Sequence, residues 1–134
     1  MDDRRTELVK YRLDKALKNI SIADVCVREE DYETAANRSY YAMFHCVRAL
    51  LALEGVDYKK HSAVVGHFRK EYVKTGLFEK RYSDYLGEAF DTRGKSDYED
   101  FFIISKSDVI AQIEHAREFY DAVKSFLANR IDEK

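Results

Sequence analysis

The stretch YETAANRSYYAMFHCVRALLALEG (Tyr32–Gly55) decides the fold class. Ala36, Tyr40, Met43, Val47, Leu50 and Leu51 recur at the three- and four-residue spacing that lines one side of an α-helix. Ala42, Cys46, Ala49 and Leu53 form a second apolar stripe beside the first. What remains polar is a narrow ridge, in which Arg38, Tyr41, His45 and Arg48 succeed one another turn by turn. A helix apolar around most of its circumference has to be buried on most sides. Acidic Glu29, Glu30 and Asp31 precede it, and Gly55 stands where a left-handed residue ends a helix.

Outward from this segment, Leu13, Ala16, Leu17, Ile20, Ala23 and Val27 predict a first helix from about Arg5 to Glu29. The link between the two is so short that they must run antiparallel. Beyond Gly55 a polar stretch, Val56 to Lys60, leads to Ser62, read as the N-cap of a short third helix that carries Val65, Phe68, Tyr72 and Val73 before Gly76. Tyr82, Tyr85, Leu86, Ala89 and Phe90 predict a fourth helix with Arg93 in its last turn and Gly94 as its cap. Lys95 to Ile104 is the least regular part of the chain. Ser105 with Asp108 forms a near capping box, and Val109, Ile113, Ala116, Tyr120, Val123 and Leu127 keep a heptad seam through the last helix. The expectation is one all-α domain over residues 1–134, an up-and-down antiparallel bundle of four to five helices.

Composition agrees and narrows the function classes. The chain has 134 residues, no Pro, no Trp and five Gly, too few turn formers for a sheet fold or a glycine-rich phosphate loop. With 36% charged and 46% hydrophobic residues it is too apolar for disorder. A net charge of −2 and a pI near 6.1 exclude a surface that is basic throughout. The charge is instead dipolar: Asp57 to Arg81 holds seven Lys or Arg against three acids, and Tyr82 to Ile104 holds two against six. No apolar run approaches the ~20 residues of a membrane span. Cys26 and Cys46 lack a CxxC pairing, so the expectation is a soluble, reduced, cytoplasmic protein with no membrane partner. His45, His61, His67 and His115 have no zinc spacing, no Glu stands three residues before a His, and no Walker, GxGxxG or GxSxG element occurs. No metal or cofactor is implied, and catalysis would rest on Arg, His, Tyr and carboxylates.

Three constellations can carry chemistry. On the ridge of the second helix, Arg38, Tyr41, His45 and Arg48 offer two guanidiniums that suit a phosphate, with the imidazole between them; the other reading is a solvated ridge or a dimer contact. Lys59, Lys60, His61, His67, Arg69 and Lys70 interleave with Tyr58, Phe68 and Tyr72, the pattern of a single-stranded nucleic-acid track or of a helix face solvated by long cations. Arg93, Asp97 and Tyr98 gather an arginine, an acid and a phenol at a loop entry, either as a functional group or as a helix end where Asp97 pairs with Arg93 and Tyr98 packs.

These residues resemble the HEPN superfamily (higher eukaryotes and prokaryotes nucleotide-binding), in its small stand-alone prokaryotic branch. Asn37 to His45 resembles the R-x-Y-Y-A-x-F-H signature of the second helix, His61 opens the third, and Arg93-x-x-x-Asp97-Tyr98 resembles an R-x-x-x-D-Y element. The resemblance covers about residues 13 to 127. It implies a helical bundle that forms a homodimer, binds a nucleotide or RNA, and serves in a two-gene toxin–antitoxin or defence module beside a minimal nucleotidyltransferase. The breadth of apolar surface on the second helix adds to the homodimer expectation. Active members cut RNA without metal through R-x(4-6)-H. Here the positions five and six beyond Arg93 hold Tyr98 and Glu99, whereas Arg38 and His45 fit the bare pattern only within the helix-two signature. The resemblance therefore leaves three readings: a nucleotide- or RNA-binding protein with Arg93, Asp97 and Tyr98 as its site and Arg38, Tyr41, His45, Arg48, Lys59, Lys60 and His61 as binding residues; a metal-independent endoribonuclease; or a helical interaction adaptor. Some resembling toxins carry a tyrosine near this motif that their partner modifies with a nucleotide, which points to Tyr98.

Overall fold

The computed structural model describes residues 3–132 and holds five α-helices: α1 (Asp3–Arg28), α2 (Tyr32–Glu54), α3 (His61–Phe68), α4 (Lys80–Tyr98) and α5 (Lys106–Asp132). No strand forms among the described residues. The bounds of α2 are those its sequence predicts. Asp31 caps it by accepting from the Thr34 N–H, and Gly55 ends it at φ +76°, with its own N–H bonded to Ala52 O and that of Val56 to Leu51 O. α1 closes by the same pair of bonds, Glu30 N–H to Val27 O and Asp31 N–H to Cys26 O, but with Glu30 at φ +60° in the left-handed position. A side chain there costs about 1–2 kcal/mol that glycine avoids.

α2 lies at the centre, packed against α1, α5, α4 and α3. Both of its apolar stripes are buried within the one chain apart from the partly buried Leu53: Tyr40, Met43, Val47, Leu50 and Leu51 on the first, Ala42, Cys46 and Ala49 on the second. Its breadth therefore gives no ground for a dimer, since the fold of a single chain covers it. Burying one such aliphatic side chain is worth roughly 1.5–3 kcal/mol. The heptad seam of α5 is buried as its spacing predicts, from Val109 to Leu127. Gln112 donates to Ala36 O and Ser39 Oγ, each at 2.8 Å, so the polar groups trapped between α2 and α5 satisfy each other. Burial pushes the Cys46 thiol pKa up, with Asp121 adding to it, which keeps it a protonated packing residue.

Four expectations are corrected. Leu17 is 47% exposed, because it falls to the outer side of α1 while Ala16 and Ile20 take the core. Lys60, with no side-chain capping bond, precedes α3, and His61 rather than Ser62 begins it. α3 passes into a single π-helical turn, Arg69–Val73, in which the Lys74 N–H reaches back five residues to Arg69 O. Gly94 does not cap α4; the helix runs through it to Tyr98 and stops where Glu99 turns extended. Arg93, Asp97 and Tyr98 are thus helical residues, and the irregular segment is confined to residues 99–105.

Candidate functional site

At the head of α3, the His61 imidazole lies between α2 and α4. It stacks on Phe44 with centroids 4.1 Å apart, meets Tyr41 edge-on at 5.7 Å, and shares a 2.7 Å hydrogen bond between Nδ1 and the Tyr40 hydroxyl. Tyr40 is fully buried. That burial pushes its phenol well above the ordinary pKa, Arg93 opposing and Tyr41 adding, so the hydroxyl keeps its proton; a buried O–H needs an acceptor, and the one it meets is His61 Nδ1, which makes the phenol the donor. Nδ1 is then the acceptor, and the neutral ring carries its hydrogen on Nε2. Burial, then the charges of Arg93 and Arg48, hold the His61 pKa below its usual value against the opposing pull of Asp97. At neutral pH the ring therefore presents an N–H donor.

Arg93 completes the group from α4. Its guanidinium carbon sits 5.9 Å from the Tyr40 centroid and 6.0 Å from that of Tyr41, within cation–π range of both. Nε pairs with Asp97 Oδ2 at 3.3 Å, one turn on, at an angle that leaves buried Nε without a hydrogen bond. A surface groove of about 500 Å³ is lined by Phe90, Asp91, Arg93, Gly94, Lys95 and Tyr98. Tyr98 is 89% exposed, so it does not pack beneath the last helix.

The ridge of α2 divides into two parts. Tyr41 belongs to the His61–Arg93 group, and Arg38 joins it through the ring, with its guanidinium carbon 5.1 Å from the Tyr41 centroid and its nitrogens on Asn19 Oδ1 and Asn37 Oδ1. Arg48 turns the other way, to Asp57 Oδ2 at 2.9 Å, where Arg12 also binds while donating to Arg48 O. Burial raises the Asp57 carboxyl, but hydrogen bonds from Arg48 and the Tyr58 N–H and the charges of both arginines outweigh it and hold the pKa low. His45 lies between these parts with Nδ1 enclosed and unbonded. Burial first, then Lys15, Arg48, Arg12 and Arg38, drive its pKa down to about 4, which leaves it neutral at pH 7. Lys59 and Lys60 are exposed on the link that delivers His61. The basic stretch is partly neutralised further on, where Lys80 pairs with Asp84 and Arg81 pairs with Glu118, while Arg69 donates to the Ser83 hydroxyl.

The residue that spacing did not mark is Tyr40. Its periodicity reads as core, and it is core; only the neighbouring Tyr41 in the Tyr40-Tyr41 pair hints that the first phenol is placed to hold a partner. No group of three or more metal-ligating side chains forms among the described residues. Nor is any helix there long and apolar enough to cross a membrane.

A helical bundle whose second helix presents Arg38-x-Tyr40-Tyr41 to a histidine and an arginine from its neighbours matches a known class. The chain belongs to the HEPN domain family, whose model matches residues 9–126. Among its relatives, a provisionally named toxin of Methanocaldococcus jannaschii is 32% identical over 94% of this chain and 85% of its own length. A UPF0332 protein of Thermotoga maritima is 30% identical over 93% of this chain and 95% of its own. A second provisionally named toxin of M. jannaschii is 32% identical over 69% of each chain.

Proposed function

We propose that this protein is a toxin-like HEPN protein that binds a nucleotide or RNA at the His61–Arg93 group and works beside a minimal nucleotidyltransferase in a two-gene module. The observation that carries this reading is the convergence of the His61 imidazole and the Arg93 guanidinium on one pair of tyrosines, with Arg93 also lining a groove and Lys59 and Lys60 exposed on the link that leads to His61. Both groups are donors, so the ligand they fit is an anion, and a phosphate answers the planar fork of Arg93. The names of the relatives from M. jannaschii support the toxin-like part. Titration with mononucleotides and a short single-stranded RNA tests the binding. Affinity for RNA is expected to fall steeply with salt as phosphate contacts release counterions, and Arg93→Ala is expected to abolish it while leaving the fold intact. No binding at low salt would refute the reading and favour an interaction adaptor.

One observation favours the endoribonuclease as a second reading: His61 and Arg93 stand on the same two tyrosines within a single chain, although no histidine follows Arg93 at the motif distance. Arg93 would steady the scissile phosphate, and His61 in its imidazolium form would protonate the leaving oxygen, so this cleavage is expected to rise toward acid pH. RNA cleavage in EDTA, lost in His61→Ala and Arg93→Ala, is the expected outcome, and its absence refutes this reading alone. The homodimer is part of the proposal through the family, and light scattering that gives a species near 15.7 kDa would remove it.

A further inference from the structure

A second histidine relay, made of residues outside the His61–Arg93 group, lies at the opposite end of α3. Glu54 closes α2, and its Oε2 accepts from His67 Nε2 at 2.9 Å and from the Tyr72 hydroxyl at 2.6 Å. Across the same imidazole, Nδ1 is 3.0 Å from the Tyr58 hydroxyl. The geometry accommodates one arrangement suited to base catalysis: with Nε2 carrying the ring hydrogen and donating to Glu54, the lone pair lies at Nδ1 and accepts from the Tyr58 phenol. Phenol, imidazole and carboxylate in this order make up a nucleophile, a base and the group that orients the base. Exposure is graded to match: the His67 side chain is 12% exposed, whereas Tyr58 is 41% exposed. Lys59 and Lys60 follow Tyr58 directly, both exposed. Gly66, beside His67, leaves open space over the helix where a side chain would stand.

We propose that Tyr58 is a nucleophile that accepts a phosphoryl group, with His67 as its base, Glu54 positioning His67, and Lys59 and Lys60 drawing in the anionic electrophile. In the step, the phenolic oxygen bonds to phosphorus as the bond from phosphorus to the leaving oxygen breaks. The electron pair departs with that oxygen, and the phenol proton passes to Nδ1. The imidazolium so formed is stabilised by Glu54 and returns the proton to the leaving oxygen where that oxygen is basic. The co-reactant is a phosphodiester or phosphoanhydride with a good leaving group. Tyr72, as a second donor to Glu54, keeps the carboxylate facing the ring.

The test uses the whole protein with bis(4-nitrophenyl) phosphate, read by 4-nitrophenolate release and by mass spectrometry of the tyrosine adducts. Tyr98, at 89% exposure, is the control within the same molecule. Tyr58 is expected to react about a hundredfold faster than Tyr98, the lower end of the assistance a placed base gives. His67→Gln should bring that ratio close to one, Glu54→Gln should lower it several-fold, and Tyr58→Phe should remove the adduct. Lys59→Ala with Lys60→Ala should slow the reaction with this anion but not with neutral 4-nitrophenyl acetate. Equal reaction at Tyr58 and Tyr98, or a ratio unchanged in His67→Gln, would overturn the proposal and leave the relay as a clasp between α2 and α3. The comparison within the unmodified chain decides the matter even where a variant fails to fold.

Discussion

Replacing Tyr40 with Phe removes one oxygen atom from the middle of the candidate site. The ring it stands on is fully buried, so packing is kept and no side-chain-sized cavity appears. Lost is the 2.7 Å bond to His61 Nδ1. A hydrogen bond of this kind contributes about 0.5–1.5 kcal/mol, and an acceptor left unsatisfied in a half-buried position adds to the cost, so the total is about 1–3 kcal/mol. For a domain of this size, about 4 °C accompanies each kcal/mol, and the melting temperature should fall by roughly 4–12 °C. The sharper readout is His61 itself. The phenol stabilises the neutral ring, so its removal should raise the His61 titration midpoint, although burial and the charges of Arg93 and Arg48 remain to hold it down. The hydrogen should also redistribute between Nε2 and Nδ1, which nitrogen chemical shifts report directly. A melting temperature within roughly 1 °C of the unmodified protein, together with an unmoved His61 titration, would show that Tyr40 does not hold the imidazole, and the geometry argued for the site would fall.

Glu30→Gly should stabilise the chain by about 1 kcal/mol, because glycine takes the left-handed turn after α1 without the side-chain clash, and thermal unfolding that shows no gain would refute this. His45 binds a proton less readily in the folded chain, near pH 4, than in the unfolded one, near 6.5; its contribution is thus fully present above pH 6.5 and lost as pH falls toward 4. Melting curves across that window should slope down toward acid, and His45→Gln should flatten the slope relative to the unmodified chain. Tyr98→Ala should change stability by no more than about 0.5 kcal/mol, since the side chain is 89% exposed; a larger loss in chemical denaturation would show that it packs.

The helices of this protein are legible in its sequence wherever an apolar face has one unambiguous partner. α2 and the seam of α5 declare themselves through unbroken three- and four-residue spacing, and Asp31 and Gly55 mark the ends of α2 by chemistry that acts within a single turn. Gly94 misleads because it sits one turn before the end of α4, still inside the helix, where a Cβ would meet nothing, so its presence records a lack of constraint rather than a cap. Arg93 and Asp97 are readable as a pair from their four-residue spacing. What spacing could not show is that His61, thirty-two residues before Arg93, comes to rest on the same two tyrosines: that depends on the π-helical turn and the path of the link back to α4, which are tertiary outcomes. Nor could it separate Arg38 from Arg48, ten residues apart on one ridge, whose partners Asn19 and Asp57 come from different directions.

The position of α2 at the centre has a kinetic consequence for the site. Tyr40 and Tyr41 ride on the element most enclosed by neighbours, whose backbone amides should exchange with solvent only on global unfolding. His61 begins a helix of eight residues that opens at its first turn without a side-chain cap, and Arg93 lies near the end of α4, where the chain turns irregular six residues later. Local openings of this kind occur at a fraction of the free energy of global unfolding. The imidazole and the guanidinium can therefore lift from the tyrosines while the core stays closed, so the group can be taken apart and rebuilt around a ligand on a timescale much shorter than that of refolding.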